Sequence, residues 1–284
     1  MSGLPSGYTQ LEYIQSSGTQ YINTGFKPNQ NTRAALTVDA KPSTAAAWLF
    51  GARNGNTDRT FGLLSFNSQY RSDYNNSTDE YSTVAPSGKF TVDKDKNVTK
   101  FNGTIGVTAK SGVFQCTYPM FLFANNNAGT AAGFGSFKLY VCQLYDNGTL
   151  IRDFVPCKNA SGAVGLYDTV EGQFYANAGT GTFTAGPEIP APEAPSALQT
   201  VLAVVLQWAA SANADRYDVY RDGAKLGSTE TTQYVDTTPE ANETYVYTVK
   251  AVNGGGESAG TSITVYTKSG YFEYKPLIES ANFP

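Results

Sequence analysis

Two Asn-Gly pairs, Asn102-Gly103 and Asn147-Gly148, each sit between runs in which apolar and polar residues alternate. No other feature constrains the fold as much. Asn-Gly supplies two consecutive residues that tolerate positive φ, as the tightest β-hairpin turn requires. Leu166-Tyr167-Asp168 and Gln173-Phe174-Tyr175 flank a further Gly turn at Glu171-Gly172. Nothing before residue 187 sustains helical periodicity over three turns, so this part reads as short strands divided by turn residues. About 185 residues of such strands suit a large two-sheet sandwich or jelly roll.

The Pro-rich run 187–195 (Pro-Glu-Ile-Pro-Ala-Pro-Glu-Ala-Pro) marks the clearest boundary. Spaced prolines make a stiff, extended spacer. The predicted architecture is therefore all-β. A jelly-roll sandwich spans 1–186, the linker 187–195, a small second sandwich 196–267 and an extended tail 268–284. The tail carries Tyr271, Phe272, Tyr274, Leu277, Ile278 and Phe283. It is expected either to pack on its own domain or to anchor the chain to a partner, as aromatic side chains do.

Composition removes several functions. Lys+Arg 20 against Asp+Glu 24 gives a net charge of −4, the wrong sign for a nucleic-acid binder that neutralises phosphates. Histidine is absent, which removes Ser-His-Asp and Cys-His nucleophile systems and His-containing zinc sites. Charged residues make up only 15%, below the roughly 25% usual for soluble domains. The polar surface must then be built from Asn, Thr, Ser, Gln and Tyr. Cys116, Cys142 and Cys157 form no C-x-x-C pair. A regular hairpin about Asn147-Gly148 places 142 opposite 153 and 157 opposite 138, so those two sulfurs lie roughly 13 Å apart, too far for a disulfide. Three buried thiols are expected. The start Met-Ser-Gly-Leu-Pro-Ser-Gly has neither a basic n-region nor an apolar h-region, which predicts cytoplasmic synthesis without a signal peptide. The apolar stretch Val201–Ala210 is too short to span a bilayer, so no membrane partner is expected.

Leu11-Glu-Tyr-Ile-Gln-Ser-Ser-Gly-Thr-Gln-Tyr-Ile-Asn-Thr-Gly25, Phe137-Lys-Leu-Tyr140, Asp153-Phe154-Val155-Pro156-Cys157, Gly165-Leu166-Tyr167-Asp168 and Asn177-Ala-Gly-Thr-Gly-Thr-Phe183 together cover most of residues 8–186. They resemble the concanavalin A-like lectin/glucanase superfamily, and within it the LamG-like jelly-roll modules of phage and gut-bacterial surface proteins. Val205-Leu-Gln-Trp208, Tyr217-Asp-Val-Tyr-Arg-Asp-Gly223 and Thr244-Tyr-Val-Tyr-Thr-Val-Lys-Ala-Val-Asn253 resemble strands B, C and F of a fibronectin type III domain. Tyr245 falls at the position of that family's tyrosine corner.

The glucanase branch uses E-x-D-x-E or E-x-D-x-x-E, a spacing that puts a nucleophile and an acid/base on one strand face. That triplet does not occur here, so the chain is expected not to be an enzyme. Hydrolysis by carboxylates from separate strands is kept as a minor reading. Sugar recognition needs an aromatic platform and planar Asn, Asp or Arg groups. Three loops offer them. One holds Arg53, Asn54 and Asp58; the second holds Tyr70, Arg71, Asp73, Tyr74 and Asn75; the third, Asn125–Asn127, includes Asn126. Each also fits a plain turn, and Tyr70, Asp73 and Tyr74 are the first choice. Trp48 and Trp208 read as core. Asp93 and Asp95 fit either a solvated turn or a weak calcium site, with Asp39 a further unplaced candidate; no other cofactor is expected.

The resemblance implies a non-catalytic phage virion surface protein. Its jelly-roll head would bind host or environmental polysaccharide, and its tail would join other virion proteins, in many copies that give avidity. A bacterial cell surface is the other location. The alternative function is a purely structural capsid or tail decoration protein.

Overall fold

The computed structural model describes residues 4–55, 58–76, 78, 80–189, 196–200 (backbone only) and 203–267. The linker lies largely, and the tail with Tyr271, Phe272, Tyr274, Leu277, Ile278 and Phe283 wholly, outside the described residues. Among those described there is no helix, and the chain is all-β. It forms two compact units, each taken here by itself.

The first unit is a sandwich of two sheets, jelly-roll-like. Its large sheet runs, in spatial order, Thr104–Thr108, Val98–Phe101, Gly88–Asp95, Thr32–Ala40, Lys138–Asp146, Thr149–Lys158, Val164–Asp168 and Gln173–Ala176. Every pairing along that path is antiparallel. The smaller sheet centres on Ala47–Arg53. Thr60–Phe66 and then Gln69–Asn75 lie on one side of it, and Phe121–Leu122 and Asn125–Asn127 on the other.

The turns follow the sequence closely. At Asn102-Gly103, Asn147-Gly148 and Asp222-Gly223 the paired φ values are 48° and 80°, 49° and 80°, and 49° and 81°. These are the left-handed pairs of a two-residue hairpin turn. One expectation shifts. Cys142 faces Phe154 rather than residue 153, because a bulge opposite Leu144 and Tyr145 adds Ile151 to the facing strand. Cys116, Cys142 and Cys157 are free and buried.

The period-2 rule explains the core. Thr32–Ala40 alternates strictly, with Ala34, Leu36 and Val38 buried inward. Facing residues include Phe50, Phe61, Leu63 and Phe123, and Phe123 stacks on Phe137 at 4.4 Å. Aromatic pairs of this kind add to the burial of their area. One inward residue breaks the apolar rule: Lys94 is fully buried. Its Nζ lies 2.5 Å from Ser72 Oγ, which lies 2.9 Å from Thr99 Oγ1. The rings of Phe61 and Tyr74 are 5.0 and 5.8 Å from the nitrogen.

The second unit places Ser196–Thr200, Ala203–Gln207 and Gln233–Asp236 in one sheet. The other sheet holds Ala224–Thr229, Arg216–Arg221, Thr244–Asn253 and Thr261–Tyr266. This partition is that of a fibronectin type III sandwich. Val204, Leu206, Trp208, Tyr217, Val219, Tyr247, Val249 and Ala251 fill its core. Tyr245 Oη accepts the Glu240 backbone N–H at 2.9 Å, the contact a tyrosine corner makes.

Phe101 is buried between Tyr70, at 5.1 Å, and Phe90, at 6.0 Å. Phe101→Ala should cost the first unit about 3–5 kcal/mol in a urea melt. Val113→Ala, at a site 85% exposed, should stay within about 0.5 kcal/mol.

Candidate functional site

The outer face of the large sheet carries an open depression of about 310 Å³ at one end of its central strands. Register builds it. Arg33 lies opposite Asp95 on one neighbour and opposite Tyr145 on the other, so the three side chains project on one face, across from Ala34 and Lys94. Arg33 Nε donates to Asp93 Oδ1 at 2.7 Å and Nη2 to Asp93 Oδ2 at 3.3 Å. The same guanidinium lies over the Tyr145 ring, 4.9 Å from its centroid. The hydrogen bond that Arg33 donates to Asp93 holds the Arg33 proton more tightly than usual.

Turn tips wall the depression. Lys96 has φ +54° and its N–H donates to Thr32 O. The Asn147 N–H donates to Asn31 O, and Asn29 Nδ2 to Asp146 Oδ1 at 3.0 Å. These bonds fix the tips against the sheet end. The lining then offers a guanidinium–carboxylate pair joined by two hydrogen bonds, an aromatic ring, and the amide side chains of Asn31 and Asn147. Arg33 and Lys96 balance Asp93 and Asp95, so the lining has no net formal charge. Planar donors and acceptors beside an aromatic ring are the groups that bind vicinal hydroxyls and the C–H face of a sugar.

The expected tyrosine platform is corrected. Tyr70 and Tyr74 are 0% and 3% exposed. Alternation along Gln69–Asn75 turns both into the core, where Tyr74 Oη donates to Gln30 O. Burial pushes the Tyr70 and Tyr74 hydroxyls up. Asp73 points the other way, yet it is fully buried and gripped by Arg71 at 2.9 and 3.2 Å. Burial, outweighing Arg71, pushes its carboxyl up to about 6. Asn75 ends that strand with φ +52°.

The remaining loop candidates are spoken for within the structure. Arg53 Nε donates to Asn127 Oδ1, and its guanidinium lies over Trp48. Asn54 exchanges two 2.8 Å bonds with Thr117. Asp58 pairs with Arg59. Asn126 is buried and closes its own turn through Pro119 O and the Gly129 N–H. Trp48 lies flat over Gly51 and Gly62, where a Cβ on either glycine would come within 2.6 Å of the ring. The loop cluster is therefore a filled face, with Arg53 and Asp73 near each other but no open platform.

Of the calcium candidates, Asp95 lies opposite Arg33 across the sheet. Both Asp93 oxygens accept from Arg33, and Asp39 pairs with Lys138 at 3.4 Å. Among the described residues no group of three or more Cys, Asp or Glu is placed to hold a metal ion. Arg33 and Tyr145 escaped sequence reasoning because the site draws on segments more than 50 residues apart. The available signal was the Asn147-Gly148 turn, read only as a fold marker.

No protein-family model matches the chain. A poly(3-hydroxybutyrate) depolymerase of Ralstonia pickettii is 42% identical over 100 residues, 33% of this chain and 19% of that protein. Chitinase Chi52 of Paenibacillus xylanexedens is 37% identical over 105 residues, 34% and 20% respectively. Exoglucanase B of Cellulomonas fimi is 37% identical over 95 residues, 30% and 9%. The chain thus spans a fifth or less of the length of these curated relatives. Among solved structures, FN3tt covers 28% of this chain and 94% of its own at 23% identity and a TM-score of 0.26. The expectation that the chain stands apart from enzymes is overturned by these relatives, each of which is named as an enzyme.

Because Arg33 already occupies both oxygens of Asp93, millimolar calcium should leave the melting temperature unchanged relative to EDTA. A calcium-dependent rise of several degrees in a thermal melt would show that the aspartates bind the ion after all.

Proposed function

We propose that this chain holds polysaccharide through the large-sheet depression, as a glycan-targeting protein displayed at a surface. The observation that carries the reading is the Arg33–Asp93 pair, its guanidinium over Tyr145, inside an open hollow. Nothing in the fold needs that arrangement, since exposed ion pairs add little stability. The names of the partly matched relatives, a chitinase and an exoglucanase among them, support a glycan-related role. On this reading the matched segment is a module shared with polymer-degrading enzymes, and the chain keeps a polymer where such an enzyme acts. The display surface is a phage particle, as the resemblance in the sequence implies. Many weakly binding copies there give useful avidity.

Affinity electrophoresis of the full chain through gels containing β-glucan, xylan, starch or glycol chitin tests the proposal. At least one polymer should retard the protein. Tyr145→Ala and Arg33→Ala should each weaken that retardation by about tenfold or more, the effect of about 1.4 kcal/mol. Arg59→Ala, on the loop face, should leave it unchanged. Equal retardation of all four proteins would rule the depression out.

A further inference from the structure

Lys94 lies on the strand Gly88–Asp95 between two residues of the depression, Asp93 and Asp95. Those two project outward, whereas Lys94 projects into the core. Among the described residues, the three donors of an ammonium there meet a single hydrogen-bond acceptor, Ser72 Oγ. A neutral amine can accept the Ser72 hydroxyl proton on its lone pair, with Thr99 donating to Ser72, and so brings no net charge into that buried place. We propose that Lys94 is a positioning residue for the depression. Uncharged, it lets this strand seat with Asp93 and Asp95 outward; on taking up a proton, it loosens the strand and weakens the hold on ligand. This extends the saccharide reading above to the regulation of the same site.

The groups that face Lys94 bring it no countercharge. From the small sheet come Ser72, the Tyr74 ring and Phe61. Its strand neighbours place Thr99 and Ala34 opposite it. No carboxylate lies within ion-pair distance of it among the described residues. Asp73, on the far side of its own strand where Arg71 holds it, opposes the effect of burial. Burial pulls the Lys94 amine down from the ordinary lysine range to about 7.

The sign with pH follows. An unfolded lysine keeps its proton to about pH 10.4, so the unfolded state binds more protons above about pH 7 and stability rises with pH there. Asp73 acts with the opposite slope, but only below about 6. The buried thiols, Cys116 and Cys157 pushed up to about 12, reverse the trend above about pH 8.5, where unfolded cysteine ionises. The diagnostic window is therefore about pH 6–8.5.

The test compares the full chain and Lys94→Met at about pH 6 and about pH 8. Two readouts are used: the polysaccharide that retards the protein, and amide exchange of Asp93–Asp95 corrected for intrinsic rates. Wild type should bind about tenfold more weakly, and exchange these amides about tenfold faster, at the lower pH. Lys94→Met should show neither change. Equal wild-type behaviour at both pH values, or the same pH dependence in Lys94→Met, would overturn the proposal. If no polymer retards the protein at either pH, the saccharide reading falls, and the exchange rates alone decide the role of Lys94. If Lys94→Met does not fold, the carbon-13 titration of the lysine Cε in wild type decides instead. A midpoint near 7 supports the proposal, and one above about 9 refutes it.

Discussion

Antiparallel register about the strand Thr32–Ala40 is the constraint from which the first unit follows. Its two neighbours fix which residues point inward and which outward along the whole large sheet. A slip of one residue would send Lys94 to the surface and drive Asp93 and Asp95 into the core. The same alternation that buries Leu36 and Val38 sets Arg33 beside Tyr145 and Asp95. Core and candidate site are thus two faces of one pairing, and an event on one face is felt on the other.

Charges in this molecule are mostly held by partners. Arg71 grips buried Asp73, Arg33 grips Asp93, and in the second unit Arg221 and Tyr247 converge on Asp236. Against burial, which raises it, the two hydrogen bonds from Thr238, then that of Tyr247 and the charge of Arg221, draw the Asp236 carboxyl below the usual range. Lys94 departs from that pattern, since its neighbours are hydroxyls and aromatic rings. A buried amine with such company is costly when charged.

Much of the fold was legible in the sequence. The Asn-Gly turns announced their hairpins, the resemblance of 244–253 to strand F announced a sandwich strand, and Tyr245 took the corner expected of it. The bulge at Leu144–Tyr145 was not legible, because no residue type marks it. The candidate site was legible only in its chemistry. The expected recipe of a ring with planar polar groups was sound, but it was sought within single loops. Tyr70 and Tyr74 share a strand with Asp73, so alternation had to separate them. Arg33, Asp93 and Tyr145 meet only once strands distant in sequence are paired. Local spacing holds no record of that.

The measurement that bears most directly on this account is an amide chemical-shift map of the first unit's resonances in the full chain, titrated with an oligosaccharide of whichever polymer retards it. Saturable shifts clustered at Asn31, Arg33, Tyr145 and Asn147, with the signals of Arg53, Asn54 and Asp58 unmoved, are the predicted result. A map centred on the loop cluster, or no shift at saturating sugar, would contradict it.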